Sequence, residues 1–446
     1  MIRYLPRKTL YDVNHCIRLS VSNAYANVKF YRDTFDQAGV CPSSVRGIND
    51  LPTLPVISRI DLMAGGPKSY LRRGSHPKKL FVKQTTGTTG TPVTVYMNFF
   101  EQAFRKISFL DAYSRHSNMK FPLKMIDIGP ERKDSASTVI SRFGPHTRVR
   151  LFRDIPWDEQ IDLLFQTRAS MIVGRPSILW ELAVVLKEKG IRPPAPKIII
   201  SNVEMLFSHV RVLLQDVFGC PVADYYSCEE AGNLAWQCQK NPDRMHPNMA
   251  NVWIEIVDRD GQPVPRGREG HIVITNLYNH TMPFIRYATG DRGVSLGEGK
   301  CSCGFEGPVM RLTEGRDVNF IVLPDGSEIN PRNLYDAFNF AFPHDRPGWD
   351  MIDSIRAFQI IQEKVDLIIV KVVCGPNYSD SLWPGVRKNL AGLHPALKLQ
   401  VELVDHLMPA PGQKFHQVFG KLNNRWIRER GGSAAGFGRR TSSGPG

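Results

Sequence analysis

The densest run of potential chemistry in the chain is Thr85-Thr86-Gly87-Thr88-Thr89-Gly90-Thr91-Pro92. Its glycines let the backbone approach an anion closely, and the threonine hydroxyls and loop amides supply donors. Such a loop suits a triphosphate and its pyrophosphate product. It is not a Walker A loop, because no Gly-Lys-Ser/Thr follows and no helix starts directly after it. A second set is built from sulfur and nitrogen. Cys238 and His246 lie close in sequence, and Cys301-Ser302-Cys303-Gly304 follows far downstream. Three thiolates and one imidazole form a tetrahedral donor set suited to Zn2+, and four protein ligands close the site, which makes it structural. The glycine after Cys303 permits the tight turn that a metal knuckle needs.

Further along, Asp224-Tyr225-Tyr226-Ser227-Cys228-Glu229-Glu230-Ala231-Gly232 follows a predicted strand, where a ligand loop at a sheet's carboxyl end belongs. Arg286-Tyr287-Ala288-Thr289-Gly290-Asp291, Gly315-Arg316-Asp317 and Pro411-Gly412-Gln413-Lys414-Phe415 come after it. Together with residues 86–92, this ordered set resembles the adenylate-forming enzymes, the acyl-CoA synthetase superfamily. The most similar branch holds the phenylacetate-CoA ligases and capsule-biosynthesis ligases. The resemblance covers nearly the whole chain, since Phe30-Tyr31-Arg32 and Leu51-Pro52-Thr53-Leu54-Pro55 are similar to that branch's N-terminal region.

The resemblance implies roles for single residues. Thr86, Gly87, Thr88, Thr89 and Gly90 would cradle phosphates. Tyr226 would stack on adenine, and Glu230 would hold Mg2+, a hard cation that takes carboxylate oxygens. Asp291 would accept hydrogen bonds from the ribose hydroxyls, as an ionised carboxylate does well. Arg316 would contact ribose or phosphate at a hinge. Lys414, a mobile point charge, would neutralise the carboxylate and α-phosphate as their bond forms. Glu230 and Lys414 are thus the residues expected to act in the chemistry itself.

The chain also departs from the family pattern. Ser227 stands where Gly is usual, and Glu229 where Thr or Ser is usual. In Ser201-Asn202-Val203-Glu204 the family's Gly before Glu is missing, and Gln413 separates Gly412 from Lys414. The hinge reads Arg316-Asp317-Val318-Asn319 rather than Arg-x-Asp-Asp. Members of the same branch carry similar Cys/His positions, so the resemblance also touches the zinc candidate.

The activity implied is ATP-dependent conversion of a carboxylic acid to an acyl-adenylate, followed by transfer to coenzyme A. Two alternatives stand beside it. One is transfer to an amine or alcohol acceptor in natural-product or polysaccharide assembly. The other is a catalytically silent binding protein. Phe143, Trp236 and Ile200 are expected to line the acyl pocket.

Elements must hold these segments in place. Strands predicted over 125–129, 171–174, 197–201 and 222–226 alternate with helices over 157–167, 176–189 and 208–218. That alternation means βαβ units and a parallel sheet. Between 252 and 274 two strands flank the turn Asp258-Arg259-Asp260-Gly261, an antiparallel signal. After residue 316 a small α+β unit is expected. The fold class is therefore α/β: a large N-terminal domain (1–315) with mixed and parallel sheets flanked by helices plus a β-rich subdomain, then a small mobile α+β domain (316–430). A Gly-, Ser- and Arg-rich tail over 431–446 is expected to be disordered.

The 446 residues are too many for one core of usual size, in line with that division. The net charge of +14 invites nucleic acid, but the basic residues are scattered apart from short clusters and no nucleic-acid motif accompanies them; a surface that attracts anionic nucleotides explains the sign equally well, and no nucleic-acid partner is expected. No apolar run is long enough for a membrane span, so none is expected, and the first residues do not read as a secretory signal. Eight cysteines in a chain of this length do not make a disulfide scaffold, and a cytoplasmic location follows.

Overall fold

The computed structural model describes residues 10–64, 66–84, 93–114, 123–129, 139–143, 146–152, 154–316, 320–338, 354–407 and 417–420. Helices α1 (Leu10–Asn27) and α2 (Lys29–Gln37) come first, followed by the short α3 (Arg59–Ala64) and α4 (Pro67–Tyr70). The sequence reads 10–37 as one helix. Val28, however, takes extended angles of φ −121° and ψ 112°, which break it in two.

Strands β1 (Phe81–Gln84) and β2 (Thr94–Met97) pair antiparallel, with Gln84 opposite Thr94, and flank the phosphate-loop candidate. Helix α5 (Phe99–Ser114) starts on a reciprocal cap. The Asn98 side chain accepts the Glu101 amide at 2.9 Å, and the Glu101 carboxylate accepts the Asn98 amide at 2.8 Å. The same buried carboxylate takes the amides of His280 and Thr281 at 2.8 and 2.9 Å, which ties α5 to the β-rich end of the molecule.

The α/β layer follows: β3 (Lys124–Gly129), β4 (Val139–Phe143), β5 (His146–Phe152), α6 (Trp157–Thr167), β6 (Met171–Gly174), α7 (Pro176–Glu188), β7 (Ile198–Asn202), α8 (Ser208–Phe218) and β8 (Val222–Cys228). Strands β3, β5, β6, β7 and β8 run parallel. β6 is buried along its length and β7 nearly so, as expected of strands covered on both faces. The chain then turns antiparallel through β9 (Gly232–Gln237), β10 (Met245–Pro247), β11 (Val252–Val257), β12 (Glu269–Asn276), β13 (Tyr287–Lys300) and β14 (Glu306–Arg316). All of these strands after β2 form one twelve-stranded sheet in the order β11-β12-β13-β14-β10-β9-β8-β7-β6-β3-β5-β4.

A hairpin of β15 (Ile321–Val322) and β16 (Glu328–Ile329) precedes α9 (Pro331–Ala337). A separate four-stranded sheet then takes the order β19-β18-β17-β20. It is built from β17 (Ile355–Lys364), β18 (Leu367–Cys374), β19 (Lys398–Leu403) and β20 (Val418–Gly420), with α10 (Trp383–Leu393) between β18 and β19. Burial alternates along β17 and β18, which marks a sheet with one covered face. That face continues the core under α7 and α8: one buried cluster runs from Ile126 and Leu179 through Phe207 to Phe358, Val370 and Val386. A second cluster joins α1 and α2, through Ile17, Tyr31 and Phe35, to Phe284 and Tyr287 of the β-rich end.

The βαβ alternation and the small α+β unit were legible in the sequence, as was the pairing of β11 with β12. The β4–β5 pair and the long β13–β14 hairpin were not, because charge and glycine interrupt their alternation. Among the described residues no helix is long and apolar enough to cross a membrane.

Candidate functional site

Strand β8 emerges from the parallel part of the sheet and turns back into β9 through Glu229, Glu230 and Ala231. Gly232 closes the turn at φ +77°, with Arg105 of α5 packed against it. A Cβ there would sit 3.2 Å from the Arg105 side chain as well as in a strained backbone region. Arg105 donates to the Glu229 carbonyl at 2.6 Å and to its carboxylate at 2.9 Å. The charge of Glu229 is thus matched by a guanidinium.

Glu230 lives differently. It is buried and accepts the Tyr287 hydroxyl at 2.9 Å. Burial and the Glu230 charge hold the Tyr287 hydroxyl well above the usual tyrosine range, so it stays a donor. The geometry therefore separates two neighbouring carboxylates that the sequence leaves equivalent.

The Tyr226 hydroxyl donates to Asp291 at 2.8 Å and lies 3.1 Å from Thr289 Oγ1. Burial first, and the Asp291 charge second, push this hydroxyl well above its ordinary range. Thr289 is itself fixed: its hydroxyl donates to the Ile272 carbonyl and accepts the Asp291 amide, both at 3.1 Å. In backbone register Asp291 lies opposite Arg316. The structure thus gathers Tyr226, Glu230, Asp291 and the backbone of Arg316 near one end of strands β8, β13 and β14. The side chain of Arg316 lies outside the described residues, as do Thr86, Gly87, Thr88, Thr89, Gly90 and Lys414.

Of the three expected pocket residues, Ile200 and Trp236 are buried in one apolar cluster with Tyr113, Met125, Met171 and Tyr225. Phe143 lies on β4 at the end of the sheet, and its side chain is outside the described residues. Sequence reasoning missed Arg105 and Tyr287. Arg105 carries no local signal, since it reaches the ligand loop only through the packing of α5. Tyr287 stood inside a recognised segment without a role.

Arg286, in the same segment, has a structural task. It is 1% exposed at φ +48°. Its guanidinium lies 3.1 Å from the Glu255 carboxylate and donates to the carbonyl of Leu54, pinning the 51–54 segment onto the β-rich end.

The second set sits at the far end of the same strands. Cys238 follows β9, His246 lies on β10, and Cys301 and Cys303 form the turn between β13 and β14. Their ligand atoms all lie within 4.8 Å of one another. Cys238 and Cys301 sulfurs are 3.7 Å apart, and His246 Nε2 is 3.2 Å from the Cys303 sulfur. Zn–S bonds of about 2.3 Å place two tetrahedral sulfurs about 3.8 Å apart, so the spacing fits a zinc ion.

Two tight turns hold the donors, one closed by Cys238 N–H to Arg244 O at 2.8 Å, the other by Cys301 N–H to Phe305 O at 2.7 Å. The Asn241 amide points at the sulfurs of Cys238 and Cys301, 3.9 and 3.7 Å away. Burial, assisted by Arg244, pushes the His246 imidazole down to about 4, which keeps it neutral as a ligand must be. The six residues of β9 put roughly 20 Å between this cluster and Glu230, so any ion here acts on the scaffold.

No protein-family model matches the chain. It is 25% identical over 374 residues to the phenylacetate-coenzyme A ligase of Thermus thermophilus, covering 78% of this chain and 79% of that one. It is 21% identical to Protein CapK of Staphylococcus aureus, covering 78% and 74%. Among solved structures, 2-hydroxyisobutyryl-CoA ligase in the postadenylation state, in complex with R3-HIB-AMP, aligns with TM-score 0.73 and 18% identity over 94% of this chain and 90% of that one. The chain therefore has the fold of the adenylate-forming CoA ligases and counts a phenylacetate-coenzyme A ligase and CapK among its relatives, as the order of its motifs implied.

Proposed function

We propose that the chain activates a carboxylic acid with ATP and passes the acyl group to coenzyme A. In the first step a carboxylate oxygen attacks the α-phosphorus. The acyl–phosphate bond forms as the bond to the bridging oxygen breaks, and pyrophosphate leaves. In the second step the thiol of coenzyme A attacks the acyl carbon, and AMP and the thiol proton are released. The observation that carries this reading is the meeting of Tyr226, Glu230 and Asp291 near one end of strands β8 and β13, in the fold of a CoA ligase solved with an acyl-adenylate.

In this reading Asp291, steadied by Tyr226, takes the ribose hydroxyls, and Tyr226 presents its ring to adenine. With Glu229 matched by Arg105, Glu230 is the carboxylate suited to Mg2+. When bound, that ion supplies charge neutralisation at the phosphates. Thr86 to Gly90 cradle the pyrophosphate, Arg316 contacts ribose or phosphate, and Lys414 steadies charge at the reacting oxygens. Residues 1–315 serve as the adenylation unit and 316–430 as a small unit that turns between half-reactions. Zn2+ on Cys238, His246, Cys301 and Cys303 is structural. The eight cysteines, none of them held in a disulfide, suit the reducing cytoplasm.

The test is exchange of labelled pyrophosphate into ATP across a panel of acids that includes phenylacetate and 2-hydroxyisobutyrate. We expect at least one acid to support exchange and coenzyme A to capture its adenylate. Glu230→Gln should lower exchange by on the order of a hundredfold, and Glu229→Gln far less. Exchange with no acid would end the proposal. Capture by amines or alcohols, and not by coenzyme A, would replace its second step.

A further inference from the structure

His209, the second residue of α8, is 5% exposed and sits where the large sheet's helices meet the smaller unit. From its own side, Trp180 of α7 stands edge-on with ring centres 5.1 Å apart, and Phe207 lies at 5.9 Å. From the opposite side, Tyr335 of α9 stacks on it at 5.4 Å with 13° between planes, and Phe358 of β17 lies at 5.6 Å.

Both ring nitrogens are engaged across this boundary. The Tyr335 hydroxyl is 2.7 Å from Nδ1, and the Gln417 amide nitrogen is 3.3 Å from Nε2. One nitrogen of a neutral imidazole donates and the other accepts, and the Tyr335 hydroxyl and the Gln417 amide can each serve either role, so both hydrogen bonds form on one ring. Apolar packing is non-directional. Two hydrogen bonds at opposite ends of one buried ring are directional, and they select a single seating of the small unit. The neighbouring Arg356–Glu188 pair, at 2.7 Å, is partly exposed and adds little selectivity.

Gln417 is also three residues beyond Lys414 in the sequence, so their Cα atoms lie within about 11 Å of each other. Whatever holds Gln417 limits where Lys414 can reach.

We propose that His209 is a positioning residue that docks the small unit for the first half-reaction, through Tyr335 and through Gln417 next to Lys414. This rests on the two-step reading above and on the role given there to Lys414. Release of the two hydrogen bonds frees the small unit for the second half-reaction.

The test uses the full chain with His209→Ala, Tyr335→Phe and Gln417→Ala. The last two are milder changes that keep the test open if the first does not fold. Spin labels on unnatural residues at the exposed positions 212 and 403, on α8 and β19, report the distance between the units. Loss of hydrogen bonds of ordinary strength should shift the docked-to-undocked ratio by roughly tenfold, seen as a second distance population. Acid-dependent pyrophosphate exchange should fall by a similar factor, while thioester formation from preformed acyl-adenylate should not fall. His209→Gln, which keeps a donor and an acceptor, should recover part of the exchange.

Unchanged distances in every variant, or equal losses in both half-reactions, would overturn the docking role. If the intact protein exchanges with no acid, the two-step reading fails instead, while the label distances still decide whether His209 docks the units.

Discussion

Asp224 opens the ligand-loop segment and shows how burial writes pH dependence into a single residue. Its carboxylate accepts the Ser201 hydroxyl and the Tyr225 amide, both at 3.1 Å, yet burial outweighs these and Arg211 and pushes it up to about 6. Between about pH 4 and 6 the folded chain therefore keeps a proton that the unfolded chain gives up. Its contribution to stability falls as pH rises through that window. Asp224→Asn should flatten this part of the profile, read as the difference between urea midpoints of the two proteins from pH 4 to 7. A variant whose midpoints track the original at every pH would mean that Asp224 ionises normally.

The residue scale also shows what the sequence could not disclose. Val203 stands before Glu204, where the resembled family has Gly, and the structure gives it φ +74°. The backbone conformation that glycine adopts freely is kept by a β-branched residue, at a cost of about 1–2 kcal/mol. A motif search sees only the missing glycine. The choice between Glu229 and Glu230 was likewise closed to a reading of the loop alone, because Arg105 and Tyr287 arrive from distant parts of the chain.

Among the elements, those with a regular period were legible and those without it were not. Helices α6 and α8 and strand β6 carry uninterrupted patterns, and their observed bounds coincide with the expected ones. β13 and β14 contain glycines and charges at positions that alternation would make apolar, and their ladder slips register at Asp291/Arg292 and Ser295/Gly297. The Cys/His cluster brings together the far ends of β9, β10, β13 and β14, where the proposed zinc ion would clamp this irregular hairpin. Four strands tied at one end present Glu230 and Asp291 at the other.

With zinc bound, metal analysis should find one ion per chain. Cys303→Ser, or a strong chelator, should remove it and lower the melting temperature by several degrees, since a ΔΔG of about 1 kcal/mol already moves a domain of 150–250 residues by ~2–4 °C. Activity per folded molecule should change much less than stability, because the cluster lies roughly 20 Å from Glu230. Full thermal stability in a metal-free preparation would assign these thiols to ordinary packing.

At the scale of the whole molecule, one buried cluster joins α7 and α8 to the four-stranded sheet, although the proposed reaction needs these parts to separate. The face between them is mixed in character. Apolar contact through Trp180, Phe207 and Phe358 is accompanied by the Trp180 indole donating to Arg356 O at 2.9 Å and by the Arg356–Glu188 pair at 2.7 Å. Faces that part during function are more polar than permanent cores, because each side must tolerate water in turn. This mixture predicts a measurable asymmetry. A chain ending at Arg316 loses the cover over Trp180 and Phe207, so it should bind an apolar dye more strongly than the intact chain and melt at lower temperature. The intact chain with acid and ATP should bind less dye than either, because ligands favour the docked arrangement. Equal dye binding by the shortened and intact chains would mean that the smaller sheet spends most of its time away from α7 and α8, and the continuous core would then be a feature of only a minor population.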